Sequence, residues 1–292
     1  MPDPLVPDSL VPDQLQPHPG MNDLLDLLRG KSQSIPLDLA ALQLATIEYP
    51  DLDIGLSLEL LDGHAGAIRR LIPESADGER FVRLTNHYLF ERIGFAGNSE
   101  DYFNPRNSCL NNVLAAHTGI PITLSIVYME LARRLGRPVY GVGLPGHYIV
   151  QYDDGGYATY IDVFHRGTLL DKSDCLDIAG KAGKTHGSES SSLLARNGNR
   201  QTILRMIRNL RGCYLRSGAY AKALRAFDLM VEAEPLSADE RRNRAALHIR
   251  MRNMGRAKVD LEMCLLLGAG GPDREQVEHQ LQVVKQNLSR LN

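Results

Sequence analysis

Apolar and polar positions along the chain follow a helical period first, a strand period in the middle and a helical period again at the end. Over residues 21–94 the period is that of a helix. Leu39, Leu42, Ala45 and Ile47 recur at roughly helical spacing behind Pro36, which suits a first helical turn, and Pro50 ends the run. Leu56, Leu60 and Leu61, then Ile68, Leu71 and Ile72, outline a second amphipathic stretch, with a break expected at Gly63 or Gly66. Asp77 is placed to cap a third helix that carries Phe81, Leu84, Tyr88, Leu89 and Ile93.

A loop rich in Gly, Asn and Pro follows, and Asn107 or Ser108 is positioned to cap a short helix over 110–116. Asn111, Asn112 and His117 make this segment polar for its surroundings, as expected if they bond the local backbone. Pro121 suits the first turn of the next helix, which runs to about Leu135 and is apolar nearly all round, the mark of a core helix. Arg133 and Arg134 fit its negative end, before Gly136.

The period then changes to two. Residues 137–144, 147–152 and 157–164 read as three strands, with Asp153, Asp154, Gly155 and Gly156 supplying the turn between the last two. His147, Ile149 and Gln151 share one face, and Tyr160, Asp162 and Phe164 share one face of the neighbour. A simple hairpin therefore sets His147 and Asp162 near its open end, within reach of a His–carboxylate hydrogen bond.

Beyond Asp171 a capped helix around Cys175 precedes residues 181–199, whose small and polar composition reads as a linker or exposed loop. From about residue 200 the helical period resumes in a register of 34 residues. Leu210, Tyr214, Gly218, Ala223, Phe227 and Pro235 match tetratricopeptide positions, and Ala257 and Leu261 repeat Ala223 and Phe227. The second repeat is degenerate, with Arg244 and His248 where the first has Leu210 and Tyr214. So few repeats bury little core alone, so packing on the preceding domain is expected. The organisation is thus a disordered proline-rich tail (1–20), an α+β domain (21–180), a linker (181–199) and a helical region (200–292).

Composition narrows the function classes. With 33 basic and 35 acidic residues the net charge is −2, which offers nucleic acid no electrostatic footprint. No apolar run has the length of a membrane span, the first residues carry no secretory signal pattern, and a cytoplasmic location is expected. The four cysteines lie far apart without zinc spacing, and no phosphate-binding loop, dinucleotide fingerprint or zincin motif occurs, so neither metal nor cofactor is expected.

Four motifs then carry a family resemblance: Asn-Pro-Arg-Asn-Ser around residue 107, Gly-Ile-Pro-Ile-Thr-Leu-Ser at 119–125, Ala-Arg-Arg-Leu-Gly at 132–136 and Gly-Val-Gly-Leu-Pro-Gly-His at 141–147. Together, over roughly residues 35–290, they resemble the bacterial SirB-type transglutaminase-like family, whose members join a transglutaminase-like (papain-like) domain to a TPR-like tail. The resemblance implies an α+β core with a Cys, a His and an Asp or Asn on a helix start and two strands. His147 and Asp162 match the last two. Anchoring the helix on Gly119 and Gly136 puts Pro121 where the Cys of active members stands, and Ser125 where an Ala stands.

Two readings remain. In the first, a domain without its nucleophile joins its helical tail in binding a protein or peptide. In the second, Cys109 is brought in from its loop to complete a Cys109–His147–Asp162 acyl-transfer site. Asn107, Asn111, Thr123, Ser125 and His165 complete the candidate binding residues; Thr123 and Ser125 could act as hydroxyl nucleophiles or satisfy backbone groups, and His165 is an alternative partner for Asp162. A His147–Asp162 pair could equally tie two strands together with no ligand at all.

Overall fold

The first helical stretch folds into α1 (Met21–Leu28), α2 (Leu37–Ala45), α3 (Ile54–Leu71) and α4 (Gly78–Asn86), in a computed structural model that describes residues 21–31, 36–181, 190–268 and 272–290. The tail expected over 1–20 lies outside the described residues. Asp77 caps α4, its Oδ1 accepting from the Arg80 N–H at 2.8 Å, and a π-helical turn, His87–Ile93, carries the chain on to Gly94. The break expected at Gly63 or Gly66 does not occur. α3 runs through both because Leu61, Ala65 and Ile68 are buried along one side, which outweighs the cost of about 1 kcal/mol for a helical glycine.

Strand β1 (Ala96–Gly97) pairs in parallel with β2 (Thr118–Gly119), and between them a 3-10 turn, Pro105–Ser108, leads into α5 (Leu110–Ala116). Neither Asn107 nor Ser108 caps α5. Cys109 stands at the cap position without a side-chain capping bond, because Asn107 is committed to the preceding loop, donating to the carbonyls of Asp101 at 2.6 Å and Tyr102 at 3.3 Å. Pro121 opens α6 (Pro121–Arg134), which is buried along most of its length. Its arginines do more than face the helix dipole: Arg134 reaches Asp38 at 2.5 Å, Glu130 at 2.9 Å and Asp62 at 2.6 Å, so the buried Asp38 and Glu130 are paired rather than left as isolated charges.

Strands β3 (Val139–Leu144), β4 (His147–Asp153), β5 (Ala158–Asp162) and β6 (Thr168–Leu170) form an antiparallel meander. Helices α7 (Lys172–Lys181) and α8 (Ser190–Leu193) follow, and β7 (Arg196–Asn197) returns to pair with Gly141 and Val142, giving the order β6-β5-β4-β3-β7. Part of the stretch expected as a linker is therefore an edge strand; residues 182–189 lie outside the described residues. The two-residue period sorts the sheet's faces: Tyr148, Val150 and Tyr152 join the core that holds α6, while Val142, Leu144, Ile149 and Tyr160 form a smaller cluster with Cys175 of α7.

The tail comprises α9 (Asn199–Ser217), α10 (Tyr220–Ala233), α11 (Ala238–Arg250), α12 (Met254–Leu266) and α13 (Pro272–Ser289). Leu204, Ile207, Leu210, Tyr214 and Phe227 of α9 and α10 sit in one core with Leu24, Leu42 and Leu131 of the first domain. Ala257, Leu261, Cys264, Val277 and Val284 of α12 and α13 make a separate cluster with Ala245. The degenerate repeat positions are filled by charge: Arg244 bridges Asp228 at 2.8 Å and Asp260 at 2.7 Å, beside the buried His248. Among the described residues no helix is long and apolar enough to cross a membrane.

Candidate functional site

The β3–β4 turn consists of Pro145 and Gly146 between the paired Leu144 and His147, and Gly146 has a φ of 71°, a left-handed value that disfavours any residue with a Cβ. This tight turn makes His147 the first residue of β4. Arg205 of α9 fastens it from below the sheet, donating to the Leu144 carbonyl at 2.7 Å and the His147 carbonyl at 2.5 Å. Its guanidinium also lies over the Tyr148 ring, 5.3 Å from the centroid.

Asp162 ends β5. Val150 opposes Ile161, so one further step of the same register sets Asp162 on the face of His147, diagonal to it. His147 Nε2 lies 2.9 Å from Asp162 Oδ2, and His165 Nδ1 lies 2.8 Å from the same oxygen. The other oxygen, Oδ1, accepts from the backbone N–H of Phe164 at 3.1 Å and of His165 at 3.2 Å. Burial pushes the Asp162 carboxyl up, but the hydrogen bonds and charges of His147 and His165 outweigh it and hold the group below its ordinary value. His165 is carried by the turn before β6, where Gly167 donates its N–H to the Asp162 carbonyl at 2.9 Å. Phe164 packs edge-on to the His147 ring, with centroids 6.1 Å apart, and its carbonyl accepts from the Gly97 N–H of β1 at 3.1 Å.

His147, Asp162 and His165 open onto a cavity of about 620 Å³, bordered by Pro145 and Gly146 on one side and by Ile178 and Lys181 of α7 on the other. Asp162 is buried, His147 is half-buried, and the His165 side chain is 65% exposed, so the cluster is reachable from solvent through His165. The arrangement can move a proton at His147, with Asp162 fixing the ring's orientation, or hold a cation between imidazole and carboxylate.

The other candidates lie elsewhere or are fully engaged. Cys109 is 0% exposed, its Sγ sits 3.5 Å from the Pro105 carbonyl, and it is not among the described residues that line the cavity. Burial, helped by Glu48, pushes its thiol up to about 12, the reverse of what activates a cysteine. Thr123 donates to the Asn107 carbonyl at 2.7 Å and is also within bonding distance, 3.1 Å, of the Ile120 carbonyl, tying the start of α6 to the 3-10 turn. Asn107 Oδ1 accepts from Asn98 at 3.1 Å. Ser125 Oγ and Asn111 Oδ1 are buried and make no hydrogen bond among the described residues.

The polar residues at the site that escaped sequence reasoning are Arg205, Thr168 and Lys181. Arg205 carried a signal, since it interrupts the apolar run Ile203, Leu204, Met206, Ile207, where a charge needs a buried partner. Lys181 stands at the last described position of α7, and nothing in the sequence points it toward His147.

Comparison with known proteins places this geometry. The model of the transglutaminase-like superfamily matches residues 57–208, and a tetratricopeptide repeat model matches 210–282. A UPF0162 protein of Xylella fastidiosa is 32% identical over 240 residues, covering 80% of this chain and 85% of the relative. A UPF0162 protein of Pseudomonas aeruginosa is 26% identical over 228 residues. Human F-box only protein 21 is 34% identical over 104 residues, 33% of this chain and 17% of that protein. With its His–Asp pair on adjacent strands and a helical tail sharing its core, the chain belongs to the transglutaminase-like superfamily, as a member of the UPF0162 family with a C-terminal tetratricopeptide region.

Proposed function

We propose that the protein is a non-catalytic, SirB-type transglutaminase-like module of the cytoplasm that binds a protein or peptide partner, with a regulatory role exerted through that partner. The observation that carries this reading is the surroundings of His147. Among the described residues lining its cavity there is no cysteine or serine, and the Thr168 hydroxyl donates to the His165 carbonyl at 2.7 Å. A base without a protein nucleophile beside it forms no covalent acyl-enzyme. The tail supplies a surface suited to a peptide: Val259, 60% exposed, rims a cavity of about 380 Å³ bordered by Asp228, Arg244 and Arg256. An apolar anchor within a charged rim is the usual anatomy of such contacts.

Panning a random-peptide display library against the full chain, followed by calorimetric titration of the selected peptides, tests the reading. Saturable binding that survives Cys109→Ala and is lost in Val259→Asp is expected. Failure to select any peptide, or binding indifferent to Val259→Asp, would overturn it.

The second reading, a cysteine-dependent acyl transfer through Cys109, His147 and Asp162, draws on one observation. His147 is already oriented by Asp162 at 2.9 Å, as a general base in such a site is. It requires Cys109 to leave its buried position.

A further inference from the structure

We infer that His147, Asp162 and His165 form a binding site for a divalent first-row transition ion of the zinc and ferrous iron class. The inference stands apart from the peptide-binding reading and rests on the geometry of the three side chains.

Two imidazole nitrogens and one carboxylate oxygen converge at the mouth of the cavity beside α7, all within 4.8 Å of one another. His147 Nε2 and His165 Nδ1 stand 2.9 Å and 2.8 Å from the same oxygen, Asp162 Oδ2. Neighbouring ligands of an ion bonded at about 2.0–2.2 Å stand roughly 3–3.5 Å apart, so each ring need move from the carboxylate by only a few tenths of an ångström to about half an ångström to admit the ion. The exposed His165 ring can turn to close the remaining distance between the two nitrogens. Asp162 Oδ1 is held by the amides of Phe164 and His165, which fixes the carboxylate's orientation and leaves Oδ2 as the donor. Outer hydrogen bonds of this kind orient a metal-bound carboxylate.

The donor set selects the ion. Two imidazoles with one carboxylate suit zinc, ferrous iron, cobalt and nickel, whereas calcium and magnesium take oxygen donors. Three ligands from one side leave the remaining coordination positions directed at the cavity, for water or a ligand. On binding, each imidazole exchanges its N–H···Oδ2 bond for a nitrogen–metal bond. A neutral ring does so by moving its proton to the other nitrogen, and a charged ring by releasing one proton to solvent.

The test uses the full chain, freed of metal by chelation. Cobalt(II) is titrated while its visible absorption is followed, and zinc uptake is measured by equilibrium dialysis. One saturable equivalent is expected, with affinity at least about 10-fold weaker in His165→Ala and in Asp162→Asn. His165→Ala removes an exposed ring and spares the core, so it decides the matter if Asp162→Asn fails to fold. No saturable cobalt spectrum, or uptake undiminished by His165→Ala, would overturn the site.

Discussion

His248 takes the place of an aromatic residue in the second helical repeat, and 3% of it is exposed, with Asp260 at 4.0 Å. Burial pushes its pKa down, and the charges of Arg244 and Arg256 add to this; Asp260 opposes them, and the result is a value of about 4. In the unfolded chain the ring takes up its proton near the ordinary value of 6.5, so between the two values unfolding binds a proton. Stability from this group is therefore complete above about 6.5 and is lost as the pH falls through about 4, by about 3 kcal/mol at most. Urea midpoints measured at both ends of that window should fall with pH in the wild type and fall less in His248→Gln. At Asp162 the four hydrogen bonds set the expectation: Asp162→Ala leaves two backbone amides without their acceptor and should cost about 2–4 kcal/mol in urea unfolding. The Asp162–His147 juxtaposition was legible at this scale, because a two-residue period and one turn fix which side chains share a face. The burial of Cys109 was not, since Cys109 belongs to a core assembled from helices far apart in the sequence.

Among the elements, the β3–β4 hairpin has His147 at one end and its anchor, Arg205, on a helix 58 residues away. Arg205→Ala leaves two carbonyls without their charged donor, and a loss of about 2–3 kcal/mol is expected, with faster amide exchange over 144–148. Arg205→Lys should restore only part of this, because a compact, strongly hydrated ammonium replaces the planar guanidinium that lies over the Tyr148 ring. Gly97 and Phe164 make a second support: a Cβ at Gly97 would collide with the Phe164 ring, so Gly97→Ala should displace the turn that carries His165. The change is readable as altered histidine ring resonances in nuclear magnetic resonance spectra, against an unshifted spectrum if β1 were a passive strand. Sequence periodicity located α4, α5, α6 and the three long strands. It missed the continuity of α3 and the pairing of β7, for opposite reasons. Tertiary burial of Leu61, Ala65 and Ile68 overrides the glycines in the one, and a two-residue strand has too few positions to show a period in the other.

At the scale of the molecule, α9 and α10 belong to the first domain's core as much as to the tail, and ion pairs such as Arg29–Glu232 and Lys222–Glu48 link them to it. The family models divide the chain near residue 209, within α9, so the repeat boundary and the packing boundary differ. A chain ended after Pro235 should retain cooperative unfolding and near-native circular dichroism. One ended after Gly198 loses Leu204, Ile207 and Leu210 from the shared core and should aggregate or lose cooperativity. The 34-residue register foretold the helical tail, but the sequence alone could not show that Arg244 and its two aspartates replace apolar packing in the second repeat. The central claim, a transglutaminase-like domain without a working nucleophile, is tested most directly by mass-mapped alkylation of the folded chain. Wild type, His147→Ala and Cys109→Ala would be compared from acid to mildly alkaline pH. Labelling at Cys109 should be slow, rise only toward alkaline pH and be unchanged by His147→Ala, because its thiol is buried and pushed up to about 12. Rapid labelling at Cys109 that persists below the ordinary thiol value of about 8.5 and disappears in His147→Ala would contradict it and establish an activated thiolate.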